Sequence, residues 1–105
     1  MDNSRLEILL KSLEENPGDA FSRYLVALEL TKLNRHDEAI VHFEKLLNEH
    51  PAYVPTYYQF ARLYENLGQT AEAIRIYKLG LIAARNAGNF HTANEIQAAL
   101  DVLDA

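Results

Sequence analysis

Four histidines, His36, His42, His50 and His91, are the side chains that titrate nearest neutrality and so the first candidates for chemistry. Glu38 and His42 stand four apart, a spacing that puts both on one face of a helix. A helical zinc site of the HExxH kind needs a second histidine at that spacing. None of the other histidines lies four residues from His42. The pair is therefore expected to be an ordinary solvated one, and no metal is expected. Asn48-Glu49-His50 reads as a helix end, without the nucleophile, base and orienting acid of a triad. The acids Asp37, Glu38, Glu44 and Glu49 fall largely on the outer face of their helix. No Gly-rich phosphate loop occurs. Cysteine is absent, which removes disulfides, zinc–thiolate sites and cysteine nucleophiles. The residues point to a chain that is not an enzyme and holds no cofactor.

With catalysis set aside, composition narrows what remains. The 105 residues suit one domain with one modest core. A hydrophobic content of 49% with 24% charged residues fits a folded globular chain, too apolar for disorder. Only 4 Gly and 3 Pro favour helices over a turn-rich β architecture. The net charge of −5 works against nucleic acid, whose binding rests on neutralised phosphates, and against an anionic membrane surface. Met1-Asp2-Asn3-Ser4-Arg5 is polar and is not followed by the apolar run of a signal peptide. No stretch approaches the ~20 apolar residues of a spanning helix. The expected location is the cytoplasm.

Six helices are expected to position whatever the chain presents. Residues 4–15 carry Leu6, Leu9, Leu10 and Leu13 as an apolar stripe, with Ser4 and Glu7 at capping-box spacing. Asn16-Pro17-Gly18-Asp19 ends that helix, and Asp19 is placed to cap the next. Residues 20–33 carry Phe21, Tyr24, Leu25 and Leu28, with Val26, Ala27 and Leu30 on a neighbouring face, so this helix must be covered on more than one side. After a polar turn at Asn34-Arg35-His36, residues 37–49 face Ala39, Ile40, Phe43, Leu46 and Leu47 inward. Residues 54–67 open with Pro55, tolerated in a first turn. They pack through Tyr57, Phe60, Ala61 and Tyr64 and end at Gly68, where a positive φ is expected. Residues 70–86 start at Thr70, a candidate cap, and turn Ala73, Ile74, Tyr77 and Leu81 inward. Gly80 inside this helix marks close approach by a neighbour, expected to be the sixth helix, since Gly there costs up to about 1 kcal/mol relative to Ala. Residues 90–103 place Phe90, Ala93, Ile96, Leu100 and Leu103 on one side.

The fourth and fifth of these helices repeat the second and third. Shifted back by 34 residues, Pro51 falls on Pro17, Tyr58 on Tyr24, Ala61 on Ala27 and Leu67 on Leu33. Glu72, Ala73, Ile74 and Leu81 likewise fall on Glu38, Ala39, Ile40 and Leu47, and Tyr77 on Phe43 keeps an aromatic. A period of this length is the signature of stacked repeat units. The last helix does not match the template of residues 20–33, and the first and last helices read as terminal caps. Connections of two to four residues make successive helices antiparallel neighbours.

The period and its residues resemble the tetratricopeptide repeat. The match rests on Ala27, Leu30, Ala39, Phe43 and Pro51 in one copy and Ala61, Tyr64, Ala73 and Tyr77 in the next. Arg23, Leu46, Gly80 and Arg85 depart from the family pattern. The resemblance implies an all-α fold, an α–α superhelix of two full 34-residue repeats flanked by capping helices, six helices in all. It lays out residues 1–105 as a single domain, with 20–53 and 54–87 as the repeats and 4–15 and 90–103 as the flanking helices. The size is similar to that of small free-standing bacterial members. In the family, the first helix of each pair lines a concave groove that takes a peptide or helix of a partner protein. Here that groove would be lined by Phe21, Tyr24, Leu28 and Thr31, then Pro55, Tyr58, Arg62 and Glu65. Packing under the first or last helix is the competing account of Phe21, Tyr24 and Leu28. His91, Asn94 and Glu95 form a polar face of the last helix that either closes the groove or continues the stack. Members that clamp chaperone tails use Lys where this chain has Tyr24, Asn where it has Leu28 and Arg62, and Lys and Arg in a third full repeat that has no counterpart here, so that function is not implied. The expected function is a protein–protein interaction module with a protein or peptide partner. The alternative is a self-associating structural protein, a homodimer through the groove or through end helices carrying Leu9, Leu10 and Leu13 or Leu100 and Leu103.

Overall fold

The structure, a computed structural model, describes residues 3–104. Met1 and Asp2 of the polar N-terminal stretch, and Ala105, lie outside the described residues. Among the described residues all regular structure is helical: α1 (Ser4–Glu15), α2 (Ala20–Lys32), α3 (His36–Glu49), α4 (Pro55–Asn66), α5 (Thr70–Asn86) and α6 (Phe90–Leu103). They group into two compact units, Met1–His50 with α1 to α3 and Pro51–Ala105 with α4 to α6.

In the first unit α1 packs on α2 and α2 on α3. The core is built from Leu6 and Leu13 of α1, Val26, Ala27 and Leu30 of α2, and Ala39, Phe43 and Leu46 of α3, all buried. Two charged side chains of α2 are drawn into this interior. Glu29 is met by Arg5 of α1 at 3.3 Å. Arg23 lies 3.0 Å from His42 Nδ1 on α3 and donates a second bond, 3.3 Å, to the carbonyl of Pro17. A guanidinium has only donors, so the facing Nδ1 is the bare ring nitrogen. The expected solvated pair of Glu38 and His42 is thus not what forms. His42 serves the buried Arg23 instead, and Glu38 takes both branches of Arg35 at 2.6 and 2.8 Å.

In the second unit α5 lies between α4 and α6 and packs on both. Phe60, Ala61, Leu63 and Tyr64 of α4, Ala73, Ile76, Tyr77 and Ala84 of α5, and Ala93, Ile96 and Leu100 of α6 are buried. Phe60 and Tyr64 stack with centroids 4.8 Å apart. Gly80 explains how α5 sits so close. A Cβ placed there would stand 2.5 Å from Tyr57 Cβ and 3.1 Å from Ile96 Cδ1. The expected close approach is real, but its tightest partner is α4, with α6 second. Tyr57 then runs on to give its hydroxyl to the carbonyl of Pro51 at 2.5 Å. Tyr57 and Pro51 sit 34 residues after Arg23 and Pro17. Two chemically different side chains therefore reach the same proline carbonyl in the two copies.

Three helix ends share one turn. Asn34, Gly68 and Gly88 hold φ of 61°, 74° and 70°. The residue after each donates back five positions, Arg35 to Leu30 at 2.9 Å, Gln69 to Tyr64 at 2.9 Å and Asn89 to Ala84 at 2.8 Å. This is the Schellman closure, which satisfies otherwise orphaned carbonyls with a left-handed residue. Arg35, Gln69 and Asn89 are also the N-caps of the helices that follow, which keeps each hairpin short.

Several local expectations are corrected. Ser4 and Thr70 are not caps: α1 is capped by Asn3 and α5 by Gln69, with no side-chain cap bond in either case. Each helix begins one residue early, so the hydroxyl residue already has helical backbone. Asp19 does cap α2, accepting from the Ser22 N–H at 3.0 Å. Phe21 is 54% exposed and Phe90 65% exposed. At about 100° per residue Phe21 points half a turn away from the Val26–Leu30 face, and Phe90 about a quarter turn away from Ile96 and Leu100. Leu13 and Leu100, offered for self-association, are consumed by the core, while Leu10 is exposed. The link between α3 and α4 spans residues 50–54, longer than the expected two to four residues.

Two measurements follow from this packing. Gly80→Ala gains about 1 kcal/mol of helix propensity but forces a methyl into Tyr57, and overpacking of that kind costs typically ~1–3 kcal/mol. A net loss of stability is expected in chemical denaturation, and a gain would mean the approach is looser than described. The second concerns pH. Burial, and then the Arg23 charge, push the His42 imidazole below its ordinary pKa. The unfolded chain, titrating near ~6.5, binds the proton first, so stability falls as pH drops through that value and levels off below the folded pKa. His42→Gln, which keeps an acceptor but cannot titrate, is expected to flatten the slope of unfolding free energy between about pH 7 and 5.5. An unaltered slope would contradict the assignment.

Candidate binding face

Pro55 starts α4 with the ring where no N–H is needed. From there Tyr58, Arg62 and Glu65 recur at i, i+4 and i+7 and share one side of the helix. The opposite side, Tyr57, Phe60, Ala61 and Tyr64, is buried. Arg62 is exposed, and Tyr58 and Glu65 are half-buried.

The face is tied down from below by α5. Tyr77, with no exposed surface, donates its hydroxyl to Glu65 Oε2. Its ring also meets Tyr58 edge to face, centroids 6.0 Å apart at 63°. The Arg62 guanidinium carbon lies 5.9 Å from the Tyr58 ring centroid, within cation–π range. Burial first, then the hydrogen bond and charge of Glu65, push the Tyr77 phenol well above its ordinary pKa. The hydroxyl is therefore a fixed donor. Together these give a face with a supported cation, an aromatic ring beside it and a carboxylate held in one position.

The corresponding residues of α2 build a different surface. Phe21 is exposed, and Tyr24, Leu28 and Thr31 are half-buried. Thr31 spends its hydroxyl on the Ala27 carbonyl at 2.9 Å. Leu28 stands where α4 has Arg62, and Thr31 where it has Glu65. The α2 surface is thus apolar and aromatic, the α4 surface charged. On α6, His91 and Glu95 pair with each other at 2.9 Å on the surface, and Asn94 is exposed.

Sequence reasoning picked out Tyr58, Arg62 and Glu65 but missed Tyr77, which it assigned to packing alone. The available signal was that Tyr77 replaces Phe43 of the other copy, adding a hydroxyl that burial obliges to find an acceptor. Clefts elsewhere in the second unit carry less chemistry. One, of about 360 Å³, is lined by Lys78, Leu81, Gln97, Leu100, Asp101 and Asp104, and its own Lys78–Asp104 pair, 3.9 Å, spans it. Another, of about 300 Å³, is lined by Pro51, Ala52, Ala83, Asn86 and Ala87, with no ionisable side chain. Among the described residues no three His, Asp or Glu side chains converge to hold a metal ion. No described helix is long and apolar enough to cross a membrane.

The comparisons with known proteins agree with this architecture. The family model of the tetratricopeptide repeat matches residues 30–100. A tetratricopeptide repeat domain protein from Salinibacter ruber, solved in solution, is 38% identical, with 83% of this chain and 88% of that one covered at a TM-score of 0.79. A protein from Bordetella parapertussis is 22% identical over 99% of this chain and 90% of its own, TM-score 0.82. The TPR2B domain of yeast Sti1, in complex with pHsp70, is 21% identical over 94% of this chain and 79% of its own, TM-score 0.86. The last two share the fold. No curated protein matches the chain. With its all-α repeat architecture and the family model covering most of its length, the chain belongs to the tetratricopeptide repeat family.

Proposed function

We propose that the chain is a non-catalytic protein-binding module, and that the face of α4 carrying Tyr58, Arg62 and Glu65 takes a peptide or helix of a partner protein. The observation that carries this reading is Arg62, exposed and resting beside Tyr58, while Tyr57, Phe60, Ala61 and Tyr64 on the other side of α4 are buried. Tyrosine and arginine are the residues most enriched among binding anchors, because they offer rigid area and directed donors. Pro55 borders this face at the helix start. Phe21, Tyr24, Leu28 and Thr31 of α2 are proposed as a partner-facing surface of the first unit in its own right. The family supports a protein partner as a class, and one structural neighbour, the TPR2B domain of yeast Sti1, was solved in complex with pHsp70. Membership does not carry that neighbour's ligand over, since Tyr24 replaces the Lys of a chaperone-tail clamp and Leu28 and Arg62 replace its Asn residues. We place the module in the cytoplasm, and its net charge of −5 argues against nucleic acid as the partner.

The test is affinity capture from the native cell, with the unaltered chain beside the double variant Tyr58→Ala, Arg62→Ala. Loss of the captured proteins from the variant, with its melting transition retained, is the expected result. An unchanged set of captured proteins would remove α4 as the binding face.

A further inference from the structure

The outer side of α5 differs from its counterpart in the first copy. Lys78, Leu81, Ile82 and Arg85 recur at i, i+3, i+4 and i+7 and share one side of the helix. Shifted back by 34 residues, they fall on Glu44, Leu47, Asn48 and Pro51. An acid and an amide of α3 are thus replaced by a cation and by an apolar side chain, Ile82, that is 58% exposed. A lone surface isoleucine needs no explanation, but this one has company.

On α6, Phe90, Asn94, Gln97 and Asp101 recur at i, i+4, i+7 and i+11. Phe90 is 65% exposed. The two sides face the same way, because Lys78 and Leu81 line one cleft of about 360 Å³ together with Gln97, Asp101 and Asp104. Charge is sorted by helix across that cleft. The α5 wall is basic through Lys78 and Arg85. The α6 wall is acidic through Asp101 and Asp104, and α6 has no lysine or arginine at all. Lys78 and Asp104 meet across the cleft only at 3.9 Å, both well exposed, a contact worth little. Among the described residues Arg85 and Asp101 have no ion-pair partner.

A face with one basic and one acidic wall is its own complement. A two-fold axis running along the cleft, parallel to both helices, lays α5 of each copy over α6 of the other. It keeps every residue at its own height, so Lys78 of one copy comes level with Asp104 of the other. The exposed area of Ile82 and Phe90, one on each wall, is covered in the same step. A single helix from another protein would need opposite charges on its two flanks to match both walls. A second copy supplies them by symmetry. We propose that the α5–α6 face is an interface between two copies of this chain, the basic wall of each packing on the acidic wall of the other. Each copy has a net charge of −5, so the copies repel at long range and the local pairs set the register. The face uses none of Tyr58, Arg62 and Glu65 and stands independently of the α4 reading.

The test is the mass of the full chain by light scattering, over concentrations from micromolar to millimolar. The unaltered chain is expected to rise from near 11.9 kDa toward twice that value. Lys78→Glu with Arg85→Glu makes both walls acidic, and Asp101→Lys with Asp104→Lys makes both basic. Each double variant alone is expected to associate at least about tenfold more weakly, because like charges then face each other. An equimolar mixture of the two sets opposite charges across both contacts and is expected to regain the association. That recovery also shows that both variants are folded. If α5 packed on α5 instead, the unaltered chain would already oppose like charges, and neither variant would lose anything. A mass of 11.9 kDa at every concentration, association unchanged in both variants, or a mixture that stays monomeric overturns the proposal. A chain that stays monomeric, yet loses a captured protein in either variant, would assign the face to a different occupant and overturn it too.

Discussion

A missing side chain at Gly80 is the constraint on which the second unit depends. Only a hydrogen fits between α5 and the Cβ of Tyr57, with Ile96 of α6 closing the other side. Helices this close exchange water for dense van der Waals contact, and each further atom in the seam would have to displace one already there. Tyr77 lies one turn before Gly80 on the same side of α5. The depth at which α5 sits is therefore also what brings its hydroxyl to Glu65. The packing of the unit and the arrangement of its exposed face are one fact seen from two sides.

The two copies solve a shared problem with different residues. In each, a long side chain from the first helix of the pair turns back to the carbonyl of the proline six residues earlier. In the second unit this is Tyr57, neutral and set against Gly80. In the first it is Arg23, whose other terminal nitrogen finds an acceptor in His42. The buried charge brings in a titrating partner that the other copy lacks. Glu29 is handled similarly, its carboxylate kept from isolation by Arg5. Burying a charge costs several kcal/mol unless it is paired, so these contacts are conditions for the fold of the first unit.

Much of this was legible in the residues. The 34-residue period, Ala27 and Ala39 with Ala61 and Ala73, Pro55 at a helix start and Gly68 after a helix end all led to the architecture found. They are positions where a single residue type satisfies a local steric demand. What escaped the reading depended on partners from another helix. Arg23 counts as a departure from the pattern until the Pro17 carbonyl is seen beside it. Asn34 takes the left-handed turn that Gly68 takes in the other copy, an option asparagine shares with glycine but does not advertise. Phe21 and Phe90 belong to apolar stripes by composition but fall on the wrong side by angle. On the proposed face of α4, Tyr58, Arg62 and Glu65 were named by the family resemblance, while the hydrogen bond of Tyr77 is invisible without knowing which carboxylate lies above its hydroxyl.

The most direct measurement of the central claim is a nuclear Overhauser contact between the Gly80 α-protons and the Tyr57 β-protons in the free chain. The packing described here requires a strong cross-peak, accompanied by a weaker one from Gly80 to the Ile96 δ-methyl. Absence of the Tyr57 cross-peak, with both resonances assigned and the helices intact, would mean that α5 does not lie against α4 in this way, and the seating of Tyr77 under Glu65 would fall with it.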